Sequence, residues 1–319
     1  MSNRHKYAFN GVGFFENARE HIERDNFPEI PIGSIGGMDG WYLTMIQNIF
    51  DDGTCYHPFI HKPGLKPKLK IRYRYVFLKK DGSSELIGEG YYYLNSDHGF
   101  RGAGKTVEEW LDEEEGYLTN GGITIEYGFQ IEGILSPEGV WTFNFHDRLF
   151  DCQEQSNMIS FYKQSRHHNG ITFFHCHKQL LTFHSTYFNS DSNENQMFEL
   201  TDENLTSFND VLQIIHGVRI GDNNISSFQM LRYARKYEMF NVIQLLDQVW
   251  KSMDIEIALS TAFSHGLNHY LAKFLDKQKT SKELAEKLKD MDLETMSGEM
   301  MKKCIKRFFE LAIPDRNFN

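Results

Sequence analysis

Cysteine is scarce in this chain. Cys55, Cys152, Cys176 and Cys304 are the only four, and no two form a Cys-x-x-Cys pair. That usage fits a reduced, intracellular chain with ordinary thiols. Long apolar runs are missing as well. No stretch of about 18 apolar residues occurs, so no membrane-spanning helix is expected, and the first residues lead into no signal core. Positive charge is in short supply: 34 Lys and Arg against 44 Asp and Glu give a formal charge of -10. Nucleic acid and anionic membranes are therefore not expected partners, because phosphate contacts need clustered cations. The sequons at Asn204 and Asn224 are accidental in an intracellular chain. Catalytic signatures are absent too. There is no Gly-x-Ser-x-Gly elbow, no His-Glu-x-x-His and no cysteine with a local partner, so no enzyme is expected. His175 and His177 alternate along a strand end, but no complete ligand set accompanies them, and neither a metal nor another cofactor is expected.

Apolar and aromatic residues are plentiful. The chain has 319 residues, 40% of them hydrophobic and 14% aromatic, with 26 Phe and 15 Tyr. That length predicts two or three domains, and the aromatics predict strands and buried ring clusters. The first 137 residues read as all-β. Trp41, Leu43 and Met45 fall on one side of a strand. Leu69, Ile71, Tyr73, Tyr75 and Phe77 share a face opposite Lys70, Arg72 and Arg74. Asp81-Gly82 marks a turn before a return strand over Leu86 to Leu94. Ile123, Ile125, Tyr127, Phe129 and Ile131 alternate with polar residues. Several half-polar strands of period two predict an antiparallel sandwich. Ser136-Pro137-Glu138-Gly139 reads as its boundary, and Val140 to Phe145 is one more aromatic strand candidate, placed in the linker region.

Three pieces of this region resemble a MATH (TRAF-like) domain: Gly40-Trp41 opening a strand, Asp97-His98-Gly99-Phe100-Arg101, and Glu115-Gly116-Tyr117-Leu118-Thr119-Asn120 before Ile123-Thr124-Ile125-Glu126. The resemblance implies a groove for an extended client peptide, lined by Tyr75, Tyr91, His98 and Phe100. His98 stands where the family carries a Trp, which implies a different peptide preference.

The stretch from Gly170 to Phe188 organises the rest. Asn169-Gly170 signals a hairpin between Met158 to Tyr162 and Ile171 to Phe174, and a helix starts near Lys178. Leu181, His184 and Phe188 fall at helical spacing. Strand, His177-Lys178, helix, then Ser185-x-Tyr187-Phe188 resembles the opening of a BTB (POZ) domain. Ile214-Ile215-His216-Gly217-Val218 and Ala234-x-Lys236-Tyr237-x-Met239 continue the resemblance. The helix over Met239 to Trp250 reads as apolar nearly all round. The resemblance implies a homodimer, with Met158, His177, Lys178, Ser185, Tyr187 and Phe188 in the domain core or dimer interface. It also implies a cullin contact. The family's hydrophobic-x-Glu anchor is missing from the polar interval Asn189 to Gln196, where Ser192 stands two before Glu194, and Asn157 replaces the Asp that usually opens the first strand. Weak cullin binding is the expectation.

Residues 254 to 313 predict three helices. Ile255, Leu259, Ala262 and Phe263 begin the first, which kinks or breaks at Gly266. Leu284, Leu288 and Met291 mark the second, and Met300, Cys304, Ile305, Phe308 and Phe309 the third. This resembles the BACK-like helical tail that follows many BTB domains.

The domain plan is a MATH domain over 5–137, a BTB domain over 151–252 and a helical tail over 253–319. The resemblance implies an intracellular (cytoplasmic or nuclear) substrate adaptor of a cullin-RING ubiquitin ligase, with client peptides and a cullin scaffold as partners. A BTB scaffold that only self-associates is the alternative. A third reading comes from Gly99-Phe100-Arg101-Gly102-Ala103-Gly104-Lys105-Thr106, which satisfies the P-loop pattern G-x-x-x-x-G-K-[ST]. A phosphate-binding loop needs a parallel βαβ setting, which the alternating strands around it do not predict. The acidic run at Glu108, Glu109 and Asp112 to Glu115 reads as a solvated face.

Overall fold

The computed structural model describes residues 7–51, 53–95, 98–148, 157–164, 170–189, 197–201, 203–219, 228–252, 257–291 and 296–313. Asp97, Cys152, Asn224, Ile255 and most of the Asn189 to Gln196 interval lie outside them. The chain divides into two compact units, Met1–Gln179 with Glu194–Thr201, and Leu180–Asn193 with Asp202–Asn319.

The first unit opens with β1 (Phe9–Phe15), α1 (Ala18–Arg24), β2 (Ile30–Ile35), β3 (Met38–Phe50), β4 (Gly53–His61), β5 (Lys68–Leu78) and β6 (Ser84–Leu94). β7 (Gly99–Arg101), β8 (Lys105–Thr106), α2 (Val107–Leu111), β9 (Leu118–Thr119), β10 (Gly122–Leu135) and β11 (Trp141–Thr142) follow. Two antiparallel sheets result. One runs β1-β10-β5-β6, with β9 and β11 also on β10; the other runs β2-β3-β4-β7, with β8 also on β4. Alternation turns Leu69, Ile71, Tyr75 and Phe77 inward against Trp41, Leu43, Ile125, Phe129 and Ile131, and these form one buried cluster.

Ser136 to Gly139 is a tight turn, closed by Ser136 accepting Gly139 N–H at 3.0 Å. The chain then doubles back, so Trp141 and Thr142, expected in a linker, pair with Leu135 and Ile134 of the first sheet. Downstream, Asp147 accepts the Gly36 N–H at 3.0 Å, and His175 donates its N–H to the Phe145 carbonyl at 2.7 Å. These bonds tie the sandwich to a further sheet of β12 (Met158–Gln164), β13 (Ile171–His177) and β14 (Met197–Glu199), in the order β13-β12-β14. β12 and β13 are the expected hairpin, antiparallel from Met158↔His177 to Gln164↔Ile171; β14 joins β12 in parallel.

The second unit is helical. α3 (Lys178–His184) leads into it, followed by α4 (Leu205–Ile215), α5 (Phe228–Lys236) and α6 (Phe240–Ser252). Asn204, one of the two sequons, is the N-cap of α4 and accepts the Ser207 N–H at 3.0 Å. α6 is one-sided rather than apolar all round: Val242, Ile243, Leu246 and Trp250 are buried, while Phe240, Gln244 and Gln248 are exposed. Among the described residues the tail has four helices where three are expected: α7 (Leu259–His265), α8 (Asn268–Lys277), α9 (Ser281–Leu288) and α10 (Gly298–Ala312). They share a core of Phe263, Leu271, Leu275, Leu284, Met300 and Cys304. Gly266 ends α7 in the left-handed region at φ 69°, as a helix C-terminus favours. On α10, Met300 and Cys304 face the core, but Ile305, Phe308 and Phe309 face outward.

Candidate functional site

The four residues predicted for a peptide groove separate into two pairs. Tyr75 and Phe100 are 0% and 1% exposed. Both belong to a ring cluster in which Phe100 lies 5.4 Å from Tyr73, 5.9 Å from Tyr75 and 5.4 Å from Phe129. The Tyr75 hydroxyl accepts the Ile60 N–H at 3.1 Å and donates to the Phe100 carbonyl at 3.0 Å. Burial pushes this hydroxyl well above its ordinary pKa. These two side chains stand inside the sandwich rather than on its surface.

Tyr91 and His98 are on the outside. Tyr91 is 56% exposed and faces out from the first sheet, level with Arg72. His98 is exposed and stacks on His61 at 5.8 Å, and His61 stacks on Tyr42 at 4.4 Å. Burial first, and then the neighbouring His98, hold His61 below its usual pKa. β6 and β7 are the edge strands of their sheets. Just past β7, Ala103 donates its N–H to the Ile87 carbonyl of β6 at 2.7 Å. Beyond that bond, two open strand edges carry unpaired backbone groups, the arrangement an added strand can use.

The glycine-rich stretch between these edges is committed to the sandwich. Gly99 to Arg101 pairs antiparallel with Phe59 to His61, and Lys105-Thr106 with Cys55-Tyr56. A Cβ at Gly99 would collide with the Ile60 carbonyl, which accounts for the glycine. Lys105 pairs with Glu85 at 2.8 Å and lies over the Tyr117 ring at 5.3 Å. Burial alone would lower the Lys105 ammonium, but Glu85 and Tyr117 together, through their hydrogen bonds and charge, outweigh it and raise its pKa. The Thr106 hydroxyl accepts the Glu109 N–H at 3.1 Å, and Glu109 accepts the Thr106 N–H at 2.8 Å, a capping box on α2. Lysine and hydroxyl are thus both engaged by the protein, on an antiparallel sheet, so the stretch is not laid out to cradle phosphates.

Sequence reasoning missed a third feature of this surface. Tyr93 and Trp141, both exposed, meet edge-on at 5.9 Å. With Lys70, Glu132 and Phe143 they line a cleft of about 310 Å³. The three consecutive tyrosines from Tyr91 to Tyr93 were the available signal, since alternation cannot bury all of them.

In the second unit, motifs far apart in sequence converge. Ser185 donates to the Tyr237 carbonyl at 2.6 Å and accepts the Phe188 N–H at 3.3 Å. Phe188 stacks on the Tyr237 ring at 5.5 Å, and Tyr187 meets it edge-on at 5.5 Å. The Tyr237 hydroxyl donates to the buried Glu203 at 2.8 Å, and Lys236 pairs with the same carboxylate. Burial would raise Glu203, but the Lys236 and Tyr237 hydrogen bonds prevail and lower its pKa. So Ser185-x-Tyr187-Phe188 locks against Lys236-Tyr237-x-Met239, and the Ser185–Met239 bridge completes the contact.

Residues 169–253 match the BTB/POZ domain. No curated protein matches the chain. The BTB match covers β13 through α6 and brings with it no catalytic family. The BTB domain supports an adaptor or scaffold role for the chain, and the antiparallel N-terminal sheets are compatible with a MATH domain. No helix among the described residues is long and apolar enough to cross a membrane.

Within the BTB region, Met158 (just upstream of the match), Ser185 and Phe188 are buried inside the single chain, while His177, Lys178 and Tyr187 are half-buried. The outward apolar surface lies elsewhere. Phe183 is 81% exposed, and Leu180, one helical turn away on α3, is exposed beside it.

Proposed function

We propose that the chain is a non-enzymatic adaptor: a MATH-type sandwich holds an extended segment of a client protein, and the BTB domain joins two copies and docks on a cullin scaffold of a ubiquitin ligase. The observation that carries this reading is the BTB/POZ match at residues 169–253, preceded by an antiparallel sandwich with two open edge strands. Backbone groups on an open edge supply affinity for an extended chain, and side-chain pockets supply selectivity. Tyr91 and His98 border those edges and serve as peptide contacts; Tyr75 and Phe100 hold the edges in place from within.

For the dimer, Leu180 and Phe183 provide the apolar anchor, since they are the exposed apolar side chains on α3. Ser185, Tyr187 and Phe188 act by fixing that helix. A reading as a self-association scaffold without a ligase link is favoured by one observation, the wholly polar interval Asn189 to Gln196. Its missing anchor would weaken a cullin contact about a hundredfold, because buried apolar anchors carry most interface energy. Co-purification of the full chain from cells, with clients and cullin identified by mass spectrometry, tests the reading. Recovery of both supports the adaptor; recovery of copies of the chain alone supports the scaffold.

A further inference from the structure

The outer face of the first sheet carries three cations beside Glu89, Glu126 and Glu132, and one of the three cations makes no ion pair among the described residues. Alternation along β5 turns Lys70, Arg72 and Arg74 outward. Lys70 pairs with Glu132 at 3.1 Å, and Arg74 with Glu126 at 3.6 Å. Arg72 stands between them, and its cross-strand neighbours are neutral: Gln130 on β10 and Tyr91 on β6. Among the described residues no carboxylate pairs with it. Its guanidinium carbon instead lies 5.8 Å from the Tyr7 ring centre and 5.6 Å from that of Tyr91. Two residues along β5, level with Lys70, opens the cleft of Tyr93 and Trp141. Beside both runs the open edge of β6.

We propose that this face binds an extended peptide with an anionic side chain, which Arg72 receives beside Tyr91, two residues from a large apolar side chain that enters the Tyr93–Trp141 cleft. The proposal rests on the reading of the sandwich as a peptide-capturing module and names the class of peptide it takes. A half-buried guanidinium flanked by rings keeps its donor fork free for a carboxylate or phosphate, and such charge-assisted pairs are about twice as strong as neutral ones. Two residues of strand span about 6.6 Å, the repeat at which an extended ligand presents same-side chains, so the two subsites fit one peptide in register. A polyanion does not fit. Glu89, Glu126 and Glu132 are also carried by these strands, and the chain bears a net charge of -10, so repeating phosphates would be repelled.

Selection of random displayed peptides on the full chain tests this. The enriched sequences carry Asp or Glu two positions from an aromatic or branched aliphatic residue. By fluorescence anisotropy, Arg72→Gln weakens such a peptide about tenfold, equivalent to about 1.4 kcal/mol. The same peptide with its acid changed to Gln binds the unaltered chain about tenfold more weakly and is indifferent to Arg72→Gln. Trp141→Ala weakens both peptides. A phosphoserine version separates the two anion sources: tighter binding than the carboxylate assigns the slot to phosphate, weaker binding to carboxylate. Peptides enriched without an acid, or an acidic peptide unaffected by Arg72→Gln, overturn the proposal and leave peptide capture standing. Recovery of no peptide overturns both.

Discussion

The hydroxyl of Tyr75 donates to the carbonyl of Phe100 at 3.0 Å, from one sheet of the sandwich to the edge strand of the other. The same oxygen takes the N–H of Ile60, the residue paired with Phe100. One buried side chain therefore sets the position of β7, and with it the open edge on which peptide capture depends. Ile60 and Phe100 still pair with each other in Tyr75→Phe, so the loss is that of the hydroxyl's own bonds, and stability is expected to fall by about 0.5–1.5 kcal/mol. Urea unfolding of the full chain checks this; an unchanged midpoint would show that the hydroxyl does not hold the two sheets.

Phe100→Ala removes a ring enclosed by Tyr73, Tyr75 and Phe129. The expected loss is about 3–5 kcal/mol, the range for a buried Phe truncated in a core. Tyr91→Ala, by contrast, leaves the melting curve within about 0.5 kcal/mol, as an exposed substitution should, and weakens client recovery. The reverse pattern would return Phe100 to the binding surface.

The strands of the sandwich were legible because the period of two is strict from Leu69 to Tyr75 and from Ile123 to Ile131. What alternation cannot give is depth at an edge. Phe100 and Tyr91 look alike as aromatic residues near turns, yet one closes the core and the other stands in solvent. Val140 to Phe145 read as a strand candidate, but its pairing with the end of β10 was hidden, because a two-residue strand carries no register signal. α8 was hidden for a different reason. Its N-cap position is Leu267, which caps nothing, and the capping carboxylate is Asp247 from α6, which accepts the N–H groups of His269 and Tyr270 at 2.8 Å each. A cap supplied from twenty-two residues away leaves no local signature. In the BTB region the motifs were readable, and their convergence on Tyr237 gives them a physical reason.

Asp247 is buried, so its loss strands two helix N–H groups. Asp247→Ala is expected to destabilise α8 by about 1–2 kcal/mol. Hydrogen exchange should show faster exchange in α8 while β3 and β10 keep their protection. Unchanged exchange in α8 would mean that another group caps it.

Acid should weaken the first unit through His175. Its Nδ1 lies 2.8 Å from the Ser160 hydroxyl, and burial, then the charges of Arg148 and His146, lower its pKa from 6.5 to about 4. The unfolded chain therefore binds a proton in the window between those values that the folded chain refuses. The stabilisation from the neutral imidazole is whole above pH 6.5 and is lost as pH falls from there toward about 4, by up to about 3 kcal/mol. Unfolding free energies of wild type and His175→Asn across that window check the sign. The wild type should show the steeper fall, and parallel curves would contradict it.

Calorimetry of the full chain against a cullin N-terminal domain tests the adaptor reading most directly. Saturable binding at one cullin domain per chain is expected, with a dissociation constant on the order of tens of micromolar, weakened by the unanchored interval between Asn189 and Gln196. A flat titration at concentrations well above that value would contradict the ligase link and leave a self-associating scaffold.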